Sequence, residues 1–404
     1  MRLQIDNEYD RLEAVLVHRP GREIERLTHE NMRQFLFEDT PYLRRMQDEH
    51  DAFVQVMRDH GISVVYLDNL LLEVLAEDAP RDRLVRSVCK ADGVPALVDD
   101  LSDRSRFSDV ELLDALIAGL TVGAHRRVMG GGRATGAEDD FLLPPIPNMY
   151  FTRDPAVVVR DTAISSKMHY PQRIRESLLV RAILEDHPEF RDSVITYGGT
   201  NEPLEDRPFT IEGGDVIILS PEAVLIGASE RTRSETIEKL AVNCFREGGV
   251  RRVYEIPIPT ERSFMHLDTV FTVLDRGVVL WYPPVMTDLK YIRRYEPAGD
   301  DATARRMVED RSFMDVLRAE FDCDVTVIDT AGGQGHFAMR EQRADGTNAF
   351  AIAPKLVIAY ERNERTIAAL EAHGVTCLGI DDSELVRGLG GPRCMTMPLR
   401  RARI

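Results

Sequence analysis

Four stretches of this chain share one shape, and that repetition limits the folds open to it. PAVVVRDTAISSKM (155–168), GGDVIILSPEAVLIGAS (213–229), HLDTVFTVLDRGVVLWYPP (266–284) and NAFAIAPKLVIAYERN (348–363) each read as an apolar strand, a short polar or proline-containing turn, and a second apolar strand. β-Branched residues dominate them, as strands prefer. Between them lie IRESLLVRAILEDHP and RSETIEKLAVNCFREGG, whose apolar residues recur at helical spacing. LEAVLVHRP (12–20) with ISVVYLDNL (62–70) makes a fifth unit, and the strand expected around Cys394 closes the set. An isolated hairpin is barely stable in water. Modules of this size bury their apolar faces against one another in a ring or propeller-like arrangement; an ordinary α/β domain with several hairpins is the alternative.

One block breaks the pattern. From about Leu71 to Ala124, leucine and alanine replace valine and isoleucine, and charges fill the gaps. This predicts several short helices, with Asp100 or Ser102 as a cap. MGGGRATGAEDD (129–140) follows as a glycine-rich loop. The expected division is 1–70 as the first part of an α/β body, 71–140 as a helical insertion with its loop, and 141–404 as the remainder of the body.

Composition excludes several classes. With 404 residues, 43% of them hydrophobic, the chain can bury a large core. A formal charge of -17 argues against nucleic acid or an anionic membrane as partner. The apolar runs fall well short of the roughly 18 residues of a membrane span. The N-terminus lacks the apolar core of a signal peptide. Five cysteines (89, 244, 323, 377 and 394) form no CxxC pair and no zinc-finger spacing, so a reducing cytoplasm is expected.

The candidate chemistry lies in four places. NMYFTRDP carries Asn148, Arg153 and Asp154, where Asp-Pro also suits a simple turn. FTIEGGDVIIL sets Glu212 and Asp215 across a glycine pair that permits close backbone approach. SFMHLDTVFTV spaces His266 and Asp268 to leave one face of a predicted strand, with Leu267 pointing away. A zinc site would need a third ligand of matching spacing, and none lies nearby. The tail GLGGPRCMTMPL holds Cys394 after turn residues and Arg393. A thiol, a histidine and carboxylates in one ring centre suit nucleophilic attack on a cation. Carboxylates raise a neighbouring thiol's pKa, so the site makes sense for a substrate that brings its own positive charge. Guanidinium matches carboxylates best. GGQGH (332–336) lacks the full dinucleotide fingerprint and reads as a loop.

FTRDP, EGGD, MHLDTVF and the terminal GGPRCMTMPL, in that order, resemble the arginine deiminase family, as do HRPGREIERL and REQRADGTNAFAIAP. The resemblance runs from about residue 10 to the end. It implies the five-bladed pseudo-symmetric α/β propeller (pentein) of guanidino-group-modifying enzymes, with an inserted helical bundle. The implied reaction is hydrolysis of L-arginine to L-citrulline and ammonia, with no metal or organic cofactor. It implies Cys394 as nucleophile through a covalent amidino-thioether and His266 as general acid/base. Asp154 and Asp268 would grip the guanidinium, and Glu212 would partner the histidine. Asn148, Arg173, Arg231, Phe151, Asp215 and Gly391 are implied in substrate binding, with the two arginines clamping the α-carboxylate. A homo-oligomer, dimer or tetramer, is implied as well. The chain departs from the family at Leu389, where some members carry a gating arginine; either Arg387 or Arg393 takes over, or the chain tolerates an apolar residue there. The alternatives are a hydrolase or amidinotransferase for a related guanidino compound, and a non-catalytic member that binds arginine.

Overall fold

A computed structural model describes residues 1–404 except 132–133, 197–209, 247–248, 299–303, 309–311 and 404. Each hairpin of the sequence forms an antiparallel pair, and each pair gains a third strand in parallel. Val157 faces Ile164 across the second blade, whose third strand is Val194–Thr196. The hairpins Val216–Ser220/Ala223–Ala228, Phe271–Asp275/Val278–Trp281 and Phe350–Ala353/Leu356–Tyr360 gain Arg252–Pro257, Thr326–Asp329 and Thr376–Ile380 in the same way. Helices Ile174–Asp186, Ser234–Arg246, Phe313–Phe321 and Glu364–Ala372 make the crossovers that parallel pairing requires. The result is a five-bladed α/β propeller with pentein topology.

The first blade is assembled from the two ends of the chain. Strand Leu12–Val17 pairs antiparallel with Met397–Arg401 and parallel with Ser63–Tyr66. Its hairpin partner is therefore the last strand of the molecule, and the ring closes there. The third blade is widened by Arg293–Pro297 and Ala304–Val308, which leave the fourth blade's crossover and pair beside Arg252–Pro257. Apolar faces of neighbouring blades meet in shared clusters. Phe53 and Tyr360 bury with Met395 between the first and fifth blades, and Trp281 with Leu225 between the third and fourth.

Helices Leu67–Leu75, Asp78–Ala91, Val98–Ser102, Asp109–Ala118 and Val122–Val128 lie beside the first two blades. Their apolar stripes continue one cluster with the second blade, where Leu71, Val85 and Leu116 bury beside Leu179. Arg175 fixes the contact. It is buried and donates twice to Asp92 at 2.9 and 2.8 Å, and to the carbonyls of Leu116 and Pro144.

Several local expectations change. The strand expected over 62–70 stops at Tyr66, because LDNLLLEVL has the leucine spacing of a helix. The caps are not Asp100 or Ser102. Ser108 accepts from the Glu111 amide in a capping box, while Asp100 pairs with His125 and Arg106. GGQGH is not a plain loop: helix Gly335–Arg343 begins inside it, after a tight turn with Gly332 and Gly333 at positive φ. Of the glycine-rich segment 129–140, Gly132 and Arg133 fall outside the described residues.

Arg175→Ala is expected to destabilise the protein by roughly 3 kcal/mol, since it leaves Asp92 facing the insertion without its cation. A urea melt of variant and wild type measures this; an unchanged midpoint would mean that the pair does not fasten the insertion.

Candidate active site

The segments carrying the candidate chemistry all lie just before the first strand of a blade. Asp154 precedes Ala156, Glu212–Asp215 precedes Val216, His266–Thr269 precedes Phe271, and Cys394 precedes Met397. The fifth blade supplies Asp345–Asn348 before Phe350. Five-fold repetition thus brings five distant segments to one end of the ring.

A belt of hydrogen bonds joins them in a circle. Arg153 N donates to Cys394 O at 3.1 Å, and Gly213 N to Asp154 O at 3.0 Å. Leu267 N donates to Asp215 Oδ1 at 2.9 Å. Asn348 Nδ2 donates to Asp268 O at 3.3 Å, and Cys394 N donates to Asn348 Oδ1 at 3.0 Å. The glycine pair is required by this approach. A Cβ on Gly213 would stand 2.1 Å from Arg153 O, and one on Gly214 would stand 2.6 Å from His266 Nδ1.

The local backbone differs from the expected strands. His266 and Asp268 do not sit on a strand. Residues Leu267–Thr269 form a 3-10 turn before Phe271, held by Thr269 N to His266 O. Leu267 still points away into the apolar cluster between blades, as the alternation required. Cys394 lies in the turn before Met397, so Met395 and Met397 bury in different clusters. In both cases the turn lets several polar atoms face one centre, which a pleated strand would spread to two sides.

Inside the belt, His266 Nε2 lies 2.8 Å from Glu212 Oε2, and Nδ1 lies 3.7 Å from Asp154 Oδ1. Glu212 also accepts from the His169 amide at 2.8 Å and from Arg231 Nη1 at 3.1 Å. Asp154 accepts from Arg173 Nη1 at 2.9 Å. Asp268 Oδ2 accepts from Arg393 Nη1 at 2.7 Å and lies 3.7 Å from Cys394 Sγ. The second oxygen of each aspartate, Asp154 Oδ1 and Asp268 Oδ1, is buried with no hydrogen-bond partner among the described residues. Such atoms are costly unless something donates to them. The ligand atoms of Asp154, Glu212 and His266 lie within 4.8 Å of one another, close enough to hold an ion. Arg173 and Arg231 already hold the carboxylates of that trio, which disfavours a divalent cation there.

Burial disfavours the His266 imidazolium, yet Asp154 and Glu212 outweigh it and raise the pKa to about 9. Burial pushes Glu212 up, but Arg231, His266 and Arg173 hold it well below the carboxylate range. Burial, then Asp268, Asp154 and Asp345, push the Cys394 thiol well above its ordinary value. At neutral pH these charges favour a thiol and an imidazolium. A cation lodged between Asp154 and Asp268 would offset the charges that keep the thiol protonated.

Asn148, Phe151, Arg173, Arg231, His266 and Cys394 line a cavity of about 20 Å³ with Asp154 and Leu389. That is room for about one water molecule, so the wall must shift for a larger guest. Asp215 and Gly391 do not line it. Asp215 accepts from Ser229 at 2.7 Å and holds Leu267, and Gly391 packs against Asn348 and Asp345. Both shape the wall from behind. Neither flanking arginine replaces the gating side chain over the cavity. Arg387 pairs with Asp39 and Glu384, and Arg393 is buried between Asp268 and Glu8. Asn348 and Asp345 were not singled out from the sequence. The repeat itself was the signal, since the position before the fifth hairpin matches Asp154 and Glu212 in the ring.

A family model for arginine deiminase matches residues 33–401. A Bacillus cytotoxicus protein named arginine deiminase is 37% identical, over 99% of this chain and 98% of its own. One from Listeria innocua is 38% identical, over 100% and 99%. Among solved structures, an amidinotransferase from Microseira wollei aligns over 100% of this chain and 98% of its own, with TM-score 0.59 and 16% identity. An inosamine-phosphate amidinotransferase from Streptomyces griseus aligns over 100% and 97%, with TM-score 0.54 and 16% identity. These structures share the fold.

His266 is expected to titrate near 9 in the folded protein, against about 6.5 unfolded. Its contribution to stability is then full below about 6.5 and is lost as pH rises through about 9. NMR titration of the imidazole and melting temperature against pH check this. A midpoint at or below 6.5 would contradict the Asp154–His266–Glu212 electrostatics.

Proposed function

The chain belongs to the arginine deiminase family, and we propose a division of labour among its residues for that family's reaction. The protein hydrolyses L-arginine to L-citrulline and ammonia through a catalytic cysteine. Cys394 is the proposed nucleophile. The observation that carries this reading is the pair of unpartnered carboxylate oxygens: Asp154 Oδ1 beside the imidazole, and Asp268 Oδ1 on the carboxylate whose other oxygen lies 3.7 Å from the thiol. A guanidinium donates in one plane and satisfies both.

The proposed course follows from the charges. Arginine enters as a cation, and its guanidinium donates to Asp154 Oδ1 while Arg173 keeps Oδ2. The added positive charge lowers the thiol's pKa, the thiol releases its proton to solvent, and the resulting thiolate attacks the guanidinium carbon. His266, protonated in the empty site, gives its proton to the leaving nitrogen as the C–N bond breaks and ammonia forms. The neutral imidazole, oriented by Glu212, then takes a proton from water. The resulting hydroxide adds to the amidino-thioether carbon, the C–S bond breaks, and citrulline leaves. His266 thus gives one proton to the departing ammonia and regains another from water.

Arg173 and Arg231 are the proposed clamp for the α-carboxylate. Both are buried at the cavity wall, and Arg231 keeps its Nε–H without an acceptor among the described residues. Arg231 also stacks on Tyr170, which fixes its plane. Asn148 is supported as a wall residue by its bond to Phe35 O at 2.8 Å, next to Leu36, which lines the same cavity.

Among the described residues no helix is long and apolar enough to cross a membrane. A cytoplasmic location is proposed, supported by five cysteines that form no CxxC pair and no zinc-finger spacing. A dimer or tetramer is proposed from the family resemblance, and light scattering checks it.

Cys394→Ala is expected to abolish citrulline and ammonia release while arginine binding survives in calorimetry. A C394A protein with wild-type turnover would sink the nucleophile assignment. Agmatine lacks the carboxylate, so its kcat/KM should fall at least about tenfold below that of arginine, the order of one charge-assisted hydrogen bond. Equal rates would remove the clamp.

A further inference from the structure

The catalytic cavity has a neighbour across a shared wall. Arg262, Met265, Thr269 and Leu389 wall it on one side, and the same residues line a second chamber of about 70 Å³. Asp345 and Gln342 belong to that chamber alone of the two. Through Glu38, Arg343 and Leu389 it meets an outer groove of about 700 Å³. Leu389 borders all three spaces. It stands between Gly388 and Gly390 with φ 66°, a left-handed conformation that a leucine rarely adopts.

Asp345 is 8% exposed, and its Oδ2 is buried with no hydrogen-bond partner among the described residues. The reaction residues do not use it. Gln342 donates its amide nitrogen to the carbonyls of Ser263 at 2.9 Å and Thr269 at 3.4 Å, so its oxygen remains an acceptor. A small space with a buried carboxyl and an amide acceptor suits a small guest rich in N–H donors. The neighbouring reaction releases one, ammonia, for every arginine consumed.

We propose that the chamber behind Leu389 receives the ammonia released at Cys394, with Asp345 as its binding group and the outer groove as its way out. This rests on the hydrolysis described above. Ammonia formed by cleavage of the C–N bond passes Thr269 and Leu389. The carboxyl of Asp345 transfers its proton to the nitrogen lone pair, giving ammonium paired with a carboxylate. Ammonium leaves by the groove, and Asp345 regains a proton from solvent. Captured in this form, the nitrogen has no lone pair with which to attack the amidino-thioether again.

The charge state of Asp345 agrees with that role. Burial, followed by Asp268, raises its pKa to about 8, against the opposing pull of Arg343 and Arg362; Asp382 adds to the rise. Tyr150, Tyr360 and Cys394, the other titratable groups whose charges it affects, are all held neutral at pH 7 by burial.

The test is citrulline formation under added ammonium chloride, against sodium chloride at equal ionic strength. Ammonium should slow the wild type, and Asp345→Asn should weaken that inhibition at least about tenfold, the order of a hydrogen bond to a charged group. Asp345→Ser repeats the test if the asparagine variant is insoluble. Binding is read separately in Cys394→Ala with 15N-ammonium, whose NMR line should broaden, and should sharpen when Asp345→Asn is added. Equal inhibition in wild type and both variants, or no inhibition of the wild type, overturns the chamber. Absence of citrulline from the wild type would overturn the hydrolysis instead.

Discussion

The amide of Cys394 donates to the side chain of Asn348, and that bond closes a circle on which the rest of the site depends. Each blade entrance is tied to the next by at least one hydrogen bond, through backbone at Arg153 and Gly213 and through side chains at Asp215 and Asn348. Such bonds are individually modest, about 1 kcal/mol each. Their importance is positional. A thiol, an imidazole and two carboxylates come from segments far apart in sequence, and the belt sets their spacing. The first blade makes the circle possible, because its hairpin is built from strands at opposite ends of the chain.

Within the belt, charge is kept in balance by buried pairs. Asp268 is held by Arg393, and Arg393 in turn by Glu8 at 3.1 Å, 385 residues away in the chain. Asp154 is held by Arg173, and Glu212 by Arg231 and His266. A buried carboxylate without such a partner would protonate and lose its grip on a cation. The arrangement keeps one oxygen of each aspartate committed to a resident cation and the other unpartnered. Under the proposed reading, this arrangement suits a planar cation, and without one the surrounding carboxylates disfavour a thiolate.

The same pairing explains where sequence reasoning stopped. The motif around Cys394 was legible because glycine, proline and arginine are unusual company for a thiol, and the carboxylates because they interrupt apolar hairpins. Asn348 was not legible, since an asparagine before a strand is ordinary turn chemistry. Its role appears only when the ring brings it beside Cys394. The HxD pair reads as strand because MHLD alternates and runs into the β-branched, apolar TVFTV. The actual 3-10 turn is imposed by Asp215, which captures the Leu267 amide from the neighbouring blade.

The sequence by itself determined the modules. Hairpin patterning is local, so four strand–turn–strand units, their helices and the helical block could be read from period and residue type, and the family resemblance followed from short motifs in order. The tertiary structure decided what no local pattern encodes: that the last strand pairs with the first, that Arg393 turns inward to Asp268 instead of outward over the cavity, and that Asp345 stands in a chamber of its own. These are contacts between residues distant in the chain. They depend on how the blades pack around a common centre, which side chains then meet there, and how burial sets the charge each can carry.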